Sequence, residues 1–226
     1  MSSPTQILLI RHGETAWNAE RRLQGHIDIA LNAEGERQAR ALGLALQSEA
    51  LDAIVSSDLQ RALHTAQAIA RHQPMSLMID PLLRERCYGA FEGLTHADIA
   101  QRYPDEYARW MARDPDALMP PGERMAESFR QFSARVVAAL LYWAAQYAGQ
   151  KIAIVAHGGV LDCAYRAAAS MPLSAPRNYA VLNTSINRFA VEDGVLKLVK
   201  WGDVAHLHGS SKDDADQAPV QAQFPA

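Results

Sequence analysis

Gln6-Ile-Leu-Leu-Ile10 runs into Arg11-His12-Gly13, and Lys151-Ile-Ala-Ile-Val-Ala156 runs into His157-Gly158-Gly159. Each is a short, unbroken apolar run, which reads as a strand covered on both faces, as parallel sheets require. Each stops at a histidine followed by glycine. In open parallel sheets ligands bind outside the carboxyl ends of the strands, so both histidines are expected to face one crevice. Glycine after each histidine would let backbone approach a ligand closely, and N–H groups opening a helix favour an anion.

Between these strands the pattern is α/β. Asn32 to about Gln47 is an amphipathic helix with Asn32 as cap and Glu34 and Glu36 in its first turn. Ala53-Ile-Val-Ser56 is the next strand. Ser57-Asp-Leu-Gln60 has capping-box spacing for a helix whose apolar face is Leu59, Leu63, Ala66 and Ala70. Ser76–Ile79 is a short strand, and Thr95 to about Arg113 is helical with a break at Pro104. After Pro120-Pro-Gly122, Met125, Phe129, Phe132, Val136, Leu140, Trp143 and Tyr147 predict one long helix stopped by Gly149, its large side chains packed as core. Another helix is expected from about Val160 to Ser170. Asn187–Val191 and Val195–Lys200 flank Glu192-Asp193-Gly194 as a hairpin.

At 226 residues and 49% hydrophobic, the chain reads as one domain with decorations. From Gly209 the polar, Pro-containing sequence predicts a disordered tail, 209–226. A formal charge of −3, without blocks of like charge, recruits neither nucleic acid nor an anionic membrane surface. No apolar run approaches the length needed to cross a bilayer, and the N-terminus has no basic, signal-like segment. Cys87 and Cys163 form no metal or redox motif and read as reduced thiols, so a cytoplasmic protein is expected. Nothing in the sequence sets an oligomeric state.

Arg11, and Arg61 early in the second helix, would offer guanidinium forks at the same sheet edge. The other histidines, His26, His64, His72, His96, His206 and His208, show no metal-binding spacing, so no metal and no cofactor is expected. There is no G-x-S-x-G elbow, Walker loop or dinucleotide fingerprint.

Leu8-Leu-Ile-Arg-His-Gly-Glu-Thr15 with Trp17-Asn18 resembles the signature of the histidine phosphatase superfamily, the phosphoglycerate-mutase-like enzymes. Ser56–Ala62 with Thr65-Ala66, Glu85-Arg-Cys-Tyr-Gly89 with Phe91-Glu-Gly93, and His157–Val160 are similar to its later motifs, in order. The resemblance spans about residues 6–208 and implies one domain over 1–208. The implied fold is a three-layer α/β sandwich, its mostly parallel sheet flanked by helices on both faces, with a helical excursion near the active site. It implies that His12 is the phosphorylated nucleophile, that Arg11, Arg61 and His157 form the phosphate pocket, and that Glu85 is the proton donor. Asn18, Gln24 and Gly25 resemble positions beside the phosphate or its organic group. Gly13 and Gly158 follow the histidines, and Tyr88, with Phe91, Tyr103, Tyr107 and Trp110, lies where the pocket wall is expected.

The expected partner is a small phosphorylated metabolite. Within the family, residues 95–120 carry three arginines against five acids, a poor site for a second phosphate, and Gly159 stands where mutases typically have Asn. Both favour a phosphate-monoester hydrolase over a mutase, with a non-catalytic binding module the remaining alternative.

Overall fold

Residues 3–207 are described in the computed structural model. The elements follow in chain order: β1 (Thr5–Arg11), α1 (Ala16–Ala19), α2 (Ala33–Ala45), β2 (Ala53–Ser56), α3 (Gln60–Ala70), β3 (Leu77–Ile79), α4 (His96–Arg102), α5 (Pro104–Met111), α6 (Phe129–Gln146), β4 (Lys151–Ala156), α7 (Gly158–Ala168), β5 (Ile186–Glu192) and β6 (Val195–Asp203). They build one six-stranded sheet in the order β3-β2-β4-β1-β5-β6. The first four strands of that order are mutually parallel, while β5 is antiparallel to both its neighbours, β1 and β6. The expected tail, 209–226, lies outside the described residues.

The unbroken apolar strands are explained by the two sheet faces they serve. On β1, Ile7 and Leu9 point into a core with Phe132, Val136 and Leu140 of α6 and Val160, Leu161 and Ala164 of α7. Leu8 and Ile10 point the other way, onto Leu42 of α2, Leu46 just beyond it, and Ala62, Ala66 and Ile69 of α3. β4 divides its residues likewise, Ile152 and Ile154 to one face and Ala153 and Val155 to the other. Each large aliphatic side chain buried this way contributes about 1.5–3 kcal/mol, so a polar face on either strand would expel a layer. The third layer is thus a consequence of strand composition. Asp193 and Gly194 both take positive φ in the β5–β6 turn, as a two-residue hairpin turn requires.

Three local expectations are corrected. α6 begins at Phe129, capped by Ser128 in a reciprocal box with Gln131, and Met125 lies outside it, 77% exposed. The Glu127 backbone N–H is taken by the Cys87 carbonyl and its carboxylate by Arg135, so the chain before Ser128 follows the excursion rather than the helix axis. α7 begins two residues early, at Gly158. And α3 has no Ser57 cap: the Gln60 N–H donates to Asp28 from the loop after α1, and Ser57 is engaged elsewhere.

Candidate active site

β1 and β4 are hydrogen-bonded neighbours with Arg11 opposite Ala156, and the His12 N–H continues the ladder to the Ala156 carbonyl at 3.0 Å. That register sets His12 beside His157, their ring centroids 5.2 Å apart. The rings are held differently. His12 Nδ1 lies 2.7 Å from the Gly13 carbonyl, which can only accept, so Nδ1 carries the hydrogen and Nε2 keeps its lone pair. His157 uses Nε2, 2.8 Å from Ser57 Oγ, and its buried Nδ1 has no partner among the described residues. Burial, with Arg61 and Arg11 as further causes, holds His12 well below the usual imidazole range against the opposing Gly13 hydrogen bond. Burial, then the charges of Arg61, His12, His26 and Arg11, lower His157 in the same way. Both rings are therefore neutral at physiological pH, which for His12 means an available nucleophilic nitrogen.

The arginines are fixed by carbonyl groups. Arg11 Nη1 donates to Val181 O at 2.6 Å, and Arg61 donates through Nη1 to Ile27 O and through Nη2 to Gly25 O. Burial draws Arg61 down to about 10, still a cation at neutral pH. Its Nε is buried without a partner among the described residues. Asn18 and Gln24 are also buried here, and the Gln24 Oε1 is likewise unpartnered among the described residues. Asn18 Oδ1 closes the α1 capping box by accepting the Thr15 N–H. Buried polar atoms left without partners around one small cavity are what a site for a polar ligand requires. Arg11, His12, Asn18, Gln24, Gly25, Arg61, Glu85, Tyr88 and Gly158 all line that cavity.

Glu85 is held by backbone. Its Oε1 accepts the Arg86 N–H at 2.7 Å and its Oε2 the Gly159 N–H at 2.9 Å. A Cβ on Gly159 would stand 2.2 Å from Glu85 Oε1 and 2.8 Å from Phe132. Glycine at 159 is thus the condition for the carboxylate's present position. Gly13 behaves otherwise than expected. Its N–H donates to Thr65 Oγ1, and a Cβ there would meet the Gly35 carbonyl at 2.5 Å, so it serves the approach of α2 rather than of a ligand. Among the aromatic residues, Phe91, Tyr103, Tyr107 and Trp110 pack with Tyr88 in a separate small core.

Sequence reasoning missed several participants. Ser57 read as a helix cap and holds His157 instead. Arg22 and Leu23 complete the cavity wall from within residues 20–30, where a wall is expected, although no motif marks either one. Asn183 donates to the His12 carbonyl, the Thr184 N–H to the Arg11 carbonyl, and His26 Nε2 lies 2.8 Å from the Glu85 carbonyl. The signal available for the Asn183 and Thr184 contacts was the polar run Asn183-Thr184-Ser185, wholly buried just before β5.

An α/β sandwich with two histidines and two arginines gathered at adjacent parallel strand ends defines a class of phosphoryl-handling enzyme, and the comparisons agree. Residues 7–204 match the profile of the histidine phosphatase superfamily (branch 1). The chain belongs to that superfamily. It is 37% identical over 205 residues to phosphoglycerate mutase-like protein 4 of Arabidopsis thaliana (89% of this chain, 86% of that one). It is also 37% identical over 208 residues to the metal-independent phosphoserine phosphatase of the same plant (91% and 84%). Among solved structures it resembles Bacillus stearothermophilus YhfR, with TM-score 0.80 and 33% identity (89% and 98% covered). Entamoeba histolytica phosphoserine phosphatase, solved as a mutant in complex with phosphoserine, gives TM-score 0.79 and 27% identity (90% and 99%).

Proposed function

We propose that this chain is a phosphate-monoester hydrolase working through phospho-His12, with Glu85 as proton donor and a small phosphorylated metabolite as substrate. The observation that carries this reading is the His12 imidazole, its Nδ1–H tied to Gly13 and its Nε2 lone pair kept in a buried, doubly cationic cavity. In the first half-reaction Nε2 bonds to phosphorus as the ester P–O bond breaks, and Glu85 in its acid form gives the leaving oxygen its proton. In the second, the Glu85 carboxylate takes a proton from water as that water attacks phosphorus and the P–N bond breaks. One backbone N–H on each Glu85 oxygen fixes the orientation of the carboxyl group for both transfers. Arg11 and Arg61 would neutralise the phosphoryl oxygens and the neutral His157 would hydrogen-bond to them through Nδ1, the positioning role such a transfer needs.

A phosphoserine phosphatase among the relatives, and a second protein of that name solved with phosphoserine, support hydrolysis of a small phosphorylated acid. A mutase-like relative keeps isomerisation as the second reading. Against it, the Asn typical of mutases at position 159 has no room while Glu85 stands where it does. The test is rapid acid and base quenching with ³²P-labelled substrate. Label on His12 that is lost in acid and kept in base is expected, and label that survives acid would overturn the mechanism. Phosphorus NMR with 3-phosphoglycerate, with and without 2,3-bisphosphoglycerate, separates the two readings. Free phosphate should appear faster than 2-phosphoglycerate, and isomerisation outrunning hydrolysis about tenfold, a barrier difference of roughly 1.4 kcal/mol, would replace the hydrolase with the mutase.

A further inference from the structure

A second cleft, of about 90 Å³, opens where α5, the start of α6 and α7 meet, lined by Arg86, Arg113, Arg166 and Arg177 with Asp114 and Asp162. It shares no lining residue with the cavity around His12. Four arginines against two aspartates make it cationic, and the charge balance along residues 95–120 could not show this, because three of the arginines come from elsewhere in the chain.

Two of these arginines are almost fully buried, Arg86 at 4% and Arg166 at 3% exposure. Both guanidinium groups sit against the Phe129 ring, at 5.8 and 5.5 Å from its centroid. Arg86 donates through Nε to the Glu127 carbonyl and through Nη2 to the Ala117 carbonyl and the Met119 sulfur, all uncharged acceptors. Its Nη1 has no hydrogen-bond partner among the described residues. Arg166 pairs through Nε with Asp162 and through Nη1 with carbonyl groups of Pro172 and Ala175, and its Nη2 is likewise without a partner among the described residues. Asp162 is the one buried carboxylate in the cleft wall, and it already accepts from Arg166 and from the Tyr179 hydroxyl. Buried cations whose last N–H edges face a cleft, where the buried carboxylate is already engaged and the remaining one, Asp114, is exposed, are donors for an anion. The volume suits about three waters, or one carboxylate or phosphate group.

We infer that this cleft is a second anion-binding site, taking a small carboxylate or phosphate group on Arg86, Arg113 and Arg166. The inference does not depend on hydrolase activity at His12. The ligand bears on that site all the same, since the Arg86 N–H holds Glu85. The anion is either a second charged group of the substrate or a separate small molecule.

The experiment is calorimetric titration of the whole chain with malonate at low salt, alone and with orthovanadate saturating the phosphate pocket. One equivalent of malonate should bind in both conditions, at least about tenfold more weakly to Arg113→Gly and to Arg166→Gln. Arg113 is exposed and has φ +59°, so glycine there leaves the fold intact even if the buried Arg166 variant misfolds. Malonate binding that vanishes with vanadate, or that is unchanged in Arg113→Gly, would overturn the inference. If the anion belongs to the substrate, Arg113→Gly raises KM for phosphoserine and not for phenyl phosphate. If it is a separate ligand, both KM values stay and malonate alters the rate.

Discussion

The ends of β1 and β4 are near copies in sequence and opposites in detail. Both finish in a buried histidine followed by glycine, and their parallel register sets the two rings side by side. At β1 the ring is held by its own neighbour's carbonyl through Nδ1, which frees Nε2; at β4 it is held by Ser57 of another strand end through Nε2, which frees Nδ1. Two glycines beside them, Gly13 directly after His12 and Gly159 two residues after His157, also serve different neighbours. Gly13 makes room for the Gly35 backbone, and Gly159 makes room for the carboxylate of Glu85. Repetition of a motif gave two places at one crevice, and the hydrogen bonds around each differ as the proposed division of work requires, a nucleophile on one side and an oxygen-binding partner on the other.

The largest expected effect breaks the pair at its nucleophile. His12→Asn should lower kcat by at least about 10⁴-fold, whereas His157→Asn, which removes a hydrogen bond to the phosphoryl oxygens and not the bond-forming atom, should cost about 10²–10³-fold. Steady-state rates with circular dichroism as a fold control check this. Equal losses would mean the two strand ends share one role.

The glycines sharpen the comparison at the next level. Gly159→Ala should displace Glu85 and lower kcat on an alkyl phosphate about 10²-fold, with a far smaller loss on nitrophenyl phosphate, whose leaving group needs no proton. Gly13→Ala should leave the kcat of folded enzyme near normal and cost about 1–3 kcal/mol of stability by overpacking against α2, read from urea unfolding. The reverse pattern would undo the assignment of the two glycines.

The smallest effect lies in pH. Both histidines are lowered by burial and nearby arginine, so below the ordinary imidazole value of 6.5 the unfolded chain binds protons that the folded chain refuses. Their contribution is full above about pH 6.5 and is lost progressively as pH falls toward the folded values. Calorimetric Tm should decline from about pH 6.5 to about 5, and less so in the His12→Asn, His157→Asn double variant. Glu49, held down to about 2 chiefly by Arg188 and then Lys151, loses its contribution only through the lower carboxylate range, and because burial lowers His26 and His206 as well, it is the double variant that separates the share of His12 and His157 in this window.

Strand placement was legible because it rests on local composition: Ala53–Ser56 and Lys151–Ala156 are strands over the expected residues. Strand ends and the first turn of α3 likewise pointed to Arg11, His12, Arg61 and His157 at one sheet edge, whereas Glu85 was implied only by the family resemblance. Where local reading failed, a distant partner had competed for the same group. Ser57 has capping spacing toward Gln60, but His157 takes its hydroxyl and Asp28 takes the helix end. Met125 fits the apolar period of α6, but the Cys87 carbonyl and Arg135 bind Glu127 and hold that stretch to the excursion.

The sequence by itself determined which residue types stand at the strand ends and that two strands deliver them to one edge, because apolar runs, glycines and motif spacing act over a few residues. Only the tertiary structure decided which nitrogen of each histidine is free, that Gly159 seats Glu85 from 74 positions away, and that arginines at 86, 113 and 166 converge on a second cleft. Hydrogen bonds and charge pairs depend on ångström-scale approach between segments that local periodicity does not relate, so they exist only once the sheet has set its register.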